Sequence, residues 1–319
     1  MNRVSSGLRR AVTTFLILLG PGNNLALSLV NRKCQAYGAS LTNHGSFLCL
    51  RNGQREMRLA LRHFAYAPTL AESFDAYFND LVPADIDGIK VLDYSYPGIL
   101  QTYLRSGLQF QMASFPEEVD AIDGYFHWYT PNVGDIVFDI GAHCGVTSYH
   151  FAKLVSRTGR VIAFEPDPVN FSLLLANIER HSLDNVLPLQ IAVAGIQGEA
   201  KFSSEGTIGS TLMRNSSRAS VGNVVMVKTV TLEDAFREWG PPKFCKIDIE
   251  GSEIEVIASA RDFLKSHQFP CEFALDTNHL VDGSLTDMRI EALFREAGYE
   301  TTSSSSGFKT TWARPALPS

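Results

Sequence analysis

Residues 133–167, VGDIVFDIGAHCGVTSYHFAKLVSRTGRVIAFEPD, read as a buried strand, a glycine-bearing turn, a helix and a second strand closed by an acid. Ile136, Val137 and Phe138 form a short apolar run inside Asp135–Asp139, the pattern of a strand covered on both faces. Gly141 and Gly145 bracket a tight loop. From Val146 to Val155 the apolar residues Val146, Tyr149, Phe151 and Leu154 recur at helical spacing, and Thr158-Gly159 ends the helix. Val161–Phe164 makes the second strand, closed by Glu165. Such a unit is half of a nucleotide-binding α/β fold. Its ligand lies at the carboxyl end of the first strand, and an acid ends the second.

The glycine spacing separates two ligand chemistries. A dinucleotide needs G-x-G-x-x-G, so that backbone and helix N-terminus reach the pyrophosphate. This loop reads D-x-G-x-x-x-G, with His143 where the second phosphate-loop glycine belongs. A loop for S-adenosylmethionine has no phosphate to cradle. It needs close backbone approach and a carboxylate for the charged end, which Asp139 supplies. Glu165, 26 residues on, is placed to accept hydrogen bonds from ribose hydroxyls. The bland alternative is a glycine turn in an ordinary α/β sheet.

The 319 residues suffice for one large core or two domains. A net charge of −6 gives no reason to expect nucleic acid as a partner, but the charge is uneven. Residues 1–62 hold nine Lys/Arg against one acid, Glu56, a net of about +8, which leaves about −14 on the remainder. Five scattered cysteines (Cys34, Cys49, Cys144, Cys245, Cys271) without C-x-x-C pairs fit reduced thiols rather than a zinc site or a disulfide frame. At the start, Arg9-Arg10, a short apolar run from Ala11 to Leu19, Gly20-Pro21-Gly22 and Ala26-Leu27-Ser28 resemble a weak signal peptide. The run is too short for a membrane span. A cytosolic metabolite as cofactor favours a cytoplasmic protein. Export, or contact of the basic end with a membrane surface, is the alternative.

Further along, Phe47–Arg51, Asn52-Gly53 and Gln54–Leu59 predict a hairpin with Asn-Gly as its turn. Leu70–Leu81 predicts a helix, Val91–Tyr94 a strand, and Gln111–Phe126 a helix whose first turn is Pro116-Glu117-Glu118. Aromatics crowd the approach to the core (Tyr94, Tyr96, Tyr103, Tyr125, His127, Trp128, Tyr129). Packing explains them, with a wall for a sugar ring as the second reading. Beyond Glu165 the chain alternates: helix Asn170–His181, strand Val186–Val193, β segments Glu199–Ser204 and Val224–Val230 around a Ser/Gly-rich connection, and a helix capped by Thr231. Strand Lys243–Ile249, helix Ser252–Leu264, strand Cys271–Asp276, helix Thr286–Ala297 and a pair Tyr299–Thr302 and Phe308–Trp312 complete it.

From about Gly134 to Thr311 this order resembles the FkbM-type methyltransferases. The resemblance rests on DIGAHCG (139–145), AFEPDPVNF (163–171), NVLPLQIAVAG (185–195), GST (209–211), VKTVTLEDAF (227–236), KIDIEGSE (246–253) and AGYE (297–300). It implies an α/β, Rossmann-like class I methyltransferase sheet of seven strands, the last antiparallel, with a small N-terminal α+β subdomain. The expected divisions are 1–44 (a basic segment), 45–127 (the accessory subdomain) and 128–319 (the cofactor-binding domain). It implies S-adenosylmethionine as methyl donor, held by Asp139, Gly141, Ala142, His143, Gly145, Glu165, Pro166, Asn170 and Ala192. The acceptor would be a hydroxyl of a sugar or secondary metabolite. An N-methyltransferase, a nicotinamide-dependent oxidoreductase and a non-catalytic cofactor binder are the alternatives. The family often carries Asn at the place of His143, and an acid followed shortly by His; the His of Asp276-Thr277-Asn278-His279 is one place off.

Methyl transfer is an in-line displacement, so positioning supplies much of the rate, and a hydroxyl acceptor needs a base. Asp248 and Glu250 share one side of the strand end next to the donor site, one to take the proton and one to orient. Lys246 is expected to point the other way. Asp276, His279 and Ser210 are candidates for the acceptor side. No metal is expected, since Asp248 and Asp276 lack a convincing third ligand.

Overall fold

The computed structural model describes residues 19–115, 119–204, 210–212, 223–266, 270–281, 283–304 and 309–316. Contacts divide the chain into two compact units, Met1–Pro116 with Ala219–Val221, and Glu117–Arg218 with Gly222–Ser319.

The first unit is built on a five-stranded sheet in the order Ser40–Asn43, Leu48–Asn52, Arg55–Leu59, Ile89–Tyr94, Ala84–Ile86. The expected hairpin is present one residue out of register. Asn52 pairs with Arg55, so the turn is Gly53-Gln54. The end of the signal-like stretch, Ala26-Leu27-Ser28, lies in a helix, Asn24–Gln35, whose start is capped by the Asn23 side chain accepting from the N–H groups of Leu25 and Ala26. The single helix expected over 70–81 is two, Ala67–Glu72 and Phe74–Asp80, broken at Ser73. The expected helix from Gln111 is overturned at its start. Gln109–Met112 is a strand paired with Ile99–Thr102, its side chains alternating exposed and buried, and only Val119–Tyr125, in the second unit, is helical, of 3-10 type. The expected first turn at 116–118, and residues 1–18 of the expected basic segment 1–44, lie outside the described residues.

In the second unit the opening stretch folds as read: strand β1 (Ile136–Ile140), helix α1 (Val146–Val155), strand β2 (Arg160–Phe164). Helix α2 (Pro168–Arg180) and strand β3 (Val186–Leu189) follow, then helix α3 (Leu232–Trp239), strand β4 (Phe244–Ile247), helix α4 (Glu253–Lys265), strand β5 (Glu272–Asp276), helix α5 (Asp287–Glu296), β6 (Tyr299–Ser303) and β7 (Thr310–Pro315). They form one sheet in the order β3-β2-β1-β4-β5-β7-β6, parallel except for β7, which is antiparallel to both neighbours. Phe308, expected in the last strand, lies outside the described residues. Thr231 caps α3 as expected, its side chain accepting from the Asp234 N–H.

Alternation along β1 explains why its residues read as buried on both sides. Phe138 and Ile140 join a core with Phe164, Phe236 and Phe273, while Val137 faces a second core containing Phe151, Val161 and Phe244. Each such side chain, fully buried, contributes roughly 2–3 kcal/mol relative to exposure. The strand expected over 186–193 is split. β3 ends at Leu189, and Ala192–Val193 pairs instead in a four-stranded sheet with Asn223–Val230, Gly198–Ser204 and Thr211–Leu212. Among the described residues no helix is long and apolar enough to cross a membrane. All five cysteines are free and buried.

Candidate active site

The carboxyl ends of β1, β2 and β4 open into a cleft with a cavity volume of about 70 Å³, where an open α/β sheet binds its ligand. Gly141, His143, Glu165, Pro166, Asn170, Ala192, Ser210, Asp248 and Glu250 line it. Asp139, Ala142, Gly145, Asp276 and His279 stand behind or beside this wall.

Two glycines shape the loop after β1. Gly141 has φ +81°, and a Cβ there would sit 1.8 Å from the Asp248 carbonyl oxygen, so the ends of β1 and β4 approach as closely as only glycine permits. Gly145 (φ +90°) starts α1, and a Cβ would meet Leu174 Cδ1 at 2.6 Å. Because that methyl can move but the left-handed backbone cannot, Gly145→Ala is expected to cost about 1–2 kcal/mol, measured as a lower melting temperature. His143 also has positive φ, +52°. That conformation favours Asn, Asp and His over other side chains, which is why Asn and His are alternatives at this place.

Glu165 ties the two loops together. Its Oε2 accepts from His143 N and its Oε1 from Asp167 N, both at 2.8 Å. Burial, then the neighbouring Asp167, pushes its carboxyl up to about 8. Burial pushes the His143 imidazole down to about 4, which keeps it neutral at pH 7. Its ring nitrogens have no hydrogen-bond partner among the described residues. His143 is therefore a neutral wall of the cleft and a weak base.

Asp139 is fully buried. Its Oδ2 accepts from Thr147 Oγ1 (2.7 Å) and Ser148 Oγ (2.6 Å) in the first turn of α1, and its Oδ1 lies 3.4 Å from Lys246 Nζ. Lys246 corrects the expectation that it faces away. It is the cross-strand neighbour of Asp139, fully buried on the same side as Asp248, and its Nζ donates to the Gly141 carbonyl at 2.7 Å and lies 3.8 Å from Asp248 Oδ2. The two-residue alternation from Asp248 was the signal that placed it.

Asp167 had no assigned role. Its Oδ1 caps α2 through Val169 N and Asn170 N, and its Oδ2 accepts from Ser204 Oγ (2.9 Å) and Ser210 Oγ (2.8 Å). The Ser210 hydroxyl, expected on the acceptor side, thus goes to the end of β2. The signal for the cap was Asp before Pro168 at the helix start.

At the other end of the cleft, Tyr125 Oη donates to Asp248 Oδ2 (3.4 Å). His279 Nε2 lies 3.8 Å from Asp248 Oδ1 and 3.6 Å from Glu250 Oε1, and its Nδ1 lies 3.1 Å from Glu253 Oε1. Glu253, a buried residue not foreseen, accepts from Ile249 N and Gly251 N. Burial alone would lower the His279 imidazole, but Glu253 and Glu250 outweigh it and push it up to about 12. Burial, then Asp248, pushes the Asp276 carboxyl up to about 7.

A parallel sheet with an antiparallel seventh strand, a glycine loop after β1 and an acid ending β2 define a class I S-adenosylmethionine-dependent methyltransferase. The family described as Methyltransferase FkbM domain matches residues 139–301. The chain belongs to the FkbM methyltransferase family. It is 27% identical over 137 residues to hexuronic acid methyltransferase AglP of Haloferax volcanii, covering 42% of this chain and 54% of that one. To 31-O-demethyl-FK506 methyltransferase FkbM of Streptomyces tacrolimicus it is 30% identical over 198 residues, covering 52% of this chain and 73% of that one. The chain thus spans about half the length of the first relative. A solved methyltransferase FkbM from Methylobacillus flagellatus is 14% identical, with a TM-score of 0.42 over 88% of this chain and 58% of that one.

The cofactor of this family is S-adenosylmethionine, and the residues present fit it. Glu165 reaches the cleft from the end of β2 as an acceptor for ribose hydroxyls. Ile191, Phe202 and Leu212 give an apolar wall for a flat base.

Proposed function

We propose that this chain O-methylates a hydroxyl of a sugar or of a secondary metabolite. The bound cofactor supplies an activated methyl group; the residues of the chain hold the acceptor and remove its proton. The observation that carries this reading is the cluster of carboxylates, Asp248 and Glu250 on the cleft wall with Asp276 behind them, at the end of the cleft away from Glu165. A hydroxyl acceptor has to lose a proton during transfer, and a carboxylate within reach takes it, contributing on the order of 10²–10⁴ in rate. Of Asp248 and Glu250, one takes the proton and the other orients the acceptor. The names of the two relatives, one a hexuronic acid methyltransferase and one acting on 31-O-demethyl-FK506, support an oxygen acceptor.

The test is transfer of a labelled methyl group to a panel of sugars, uronic acids, polyketide alcohols and amines. Label on a hydroxyl is expected. In the double variant Asp248→Asn/Glu250→Gln, kcat is expected to fall about 10²-fold while S-adenosylmethionine affinity stays within a few fold. Label on amines alone, or full turnover in the double variant, would sink the assignment.

A further inference from the structure

The carboxylate end of the cleft holds more acid than proton acceptance requires. Asp248, Glu250, Glu253 and Asp276 surround one imidazole, with Lys246 3.8 Å from Asp248. Asp248, Asp276 and His279 each offer a ligand atom, and these atoms lie within 4.8 Å of one another. Ligands about 2.1 Å from one ion stand roughly 3–4.2 Å apart, so rotations of a fraction of an ångström bring all three onto one centre.

Two observations set this apart from a group of solvated acids. The His279 ring sits against a fixed carboxylate: its Nδ1 lies 3.1 Å from Glu253 Oε1, without a hydrogen bond among the described residues, and Glu253 is itself fixed by the Ile249 and Gly251 N–H groups. A carboxylate beside the second nitrogen is the usual support of a metal-ligating histidine, and a small turn of the ring forms that bond. Its Nε2 meets Asp248 at 3.8 Å and Glu250 at 3.6 Å, too far for hydrogen bonds and within the span of ligands around an ion. Glu253 is also fully buried, and its Oε2 has no hydrogen-bond partner among the described residues. A buried carboxylate oxygen left unpaired beside such a cluster marks a deficit of positive charge there.

We propose that Asp248, Asp276 and His279 bind one divalent cation, with Glu253 holding the histidine in place. Two carboxylates and an imidazole with no thiolate select a hard or borderline ion such as Mn²⁺ or Mg²⁺, with open positions for water or substrate oxygens. Those positions suit neighbouring oxygens of a sugar or uronic acid, whose hydroxyl the ion would acidify. With Asp248 on the ion, the proton passes to Glu250. The role toward an acceptor rests on the methyl-transfer reading; the binding site does not.

Mn²⁺ titrated into the full chain, followed by loss of the free-ion paramagnetic resonance signal and by calorimetry, tests it. One stoichiometric site is expected, weakened at least tenfold by Asp276→Asn and by His279→Gln, and also by Glu253→Gln. Melting curves and S-adenosylmethionine affinity of each variant report whether it is folded, and the wild-type affinity for that cofactor tests the methyltransferase reading separately. Absence of a stoichiometric Mn²⁺ site in the wild type overturns the proposal. So does binding that folded Asp276→Asn and His279→Gln leave unchanged.

Discussion

Glu165→Ala is expected to weaken S-adenosylmethionine binding about 10³-fold, measured by calorimetry. Two hydroxyls donating to one carboxylate, at about 2 kcal/mol each for bonds to a charged group, account for that loss above about pH 8, where the carboxyl is ionised. The substitution also removes the acceptor for the N–H groups of His143 and Asp167, which loosens both loops. A second result follows from the same carboxyl. Burial raises it to about 8, well above its ordinary range, so the folded state holds this proton more tightly than the unfolded chain does. The associated stability is fully present below about pH 4.5 and is lost as pH rises through about 8, by an amount on the order of a few kcal/mol. Melting curves of the cofactor-free protein from pH 5 to 8.5 should fall with pH, and Glu165→Gln should flatten that fall. An affinity within threefold of wild type in Glu165→Ala would remove Glu165 from the binding site.

The unit around β1 was legible because its signals are local. Two-sided burial of a strand, two glycines at fixed spacing and a helical repeat need no knowledge of distant residues, and α1 covers the expected Val146–Val155. Misreadings arose where partners lie far apart in sequence. Lys246 reads as facing away because the 107 positions separating it from Asp139 hide their cross-strand adjacency. The stretch 186–193 carries uniform β propensity, yet its last two residues leave the main sheet to pair with Asn223–Val230. Propensity does not say which sheet a strand joins. Residues 109–112 alternate exposed and buried, a period-two signal overlooked in favour of a helix start at Pro116. At the carboxylate end, Asp276 and His279 were recognised from a motif read one place off. Glu253 was not recognised, because a glutamate opening a helix has an ordinary reason to be there, the helix dipole.

The largest stability effect is expected from Lys246→Met. The ammonium group is fully buried, donates to the Gly141 carbonyl at 2.7 Å and stands 3.4 Å from Asp139, itself fully buried. Methionine fills nearly the same volume but takes away the cation 3.4 Å from Asp139 Oδ1, an atom with no hydrogen bond among the described residues, while Thr147 and Ser148 donate only to Oδ2. Breaking a buried pair from one side costs about 3–5 kcal/mol. In a unit of this size that lowers the melting temperature by roughly 6–20 °C. Adding Asp139→Asn should recover at least half of the loss, since the amide still accepts from one hydroxyl and carries no charge to strand. Such recovery distinguishes a broken ion pair from a packing defect, which the second substitution would deepen. Cofactor affinity provides the functional half of the argument. Lys246 holds the carbonyl of Gly141, whose backbone lies against Asp248 where the ends of β1 and β4 meet, so its loss displaces both walls of the cleft without removing a lining residue. Lys246→Met should therefore weaken S-adenosylmethionine binding, and the Asp139→Asn pairing should restore stability more fully than affinity. A single variant melting within 2 °C of wild type would show that the buried pair holds neither the strands nor the loop.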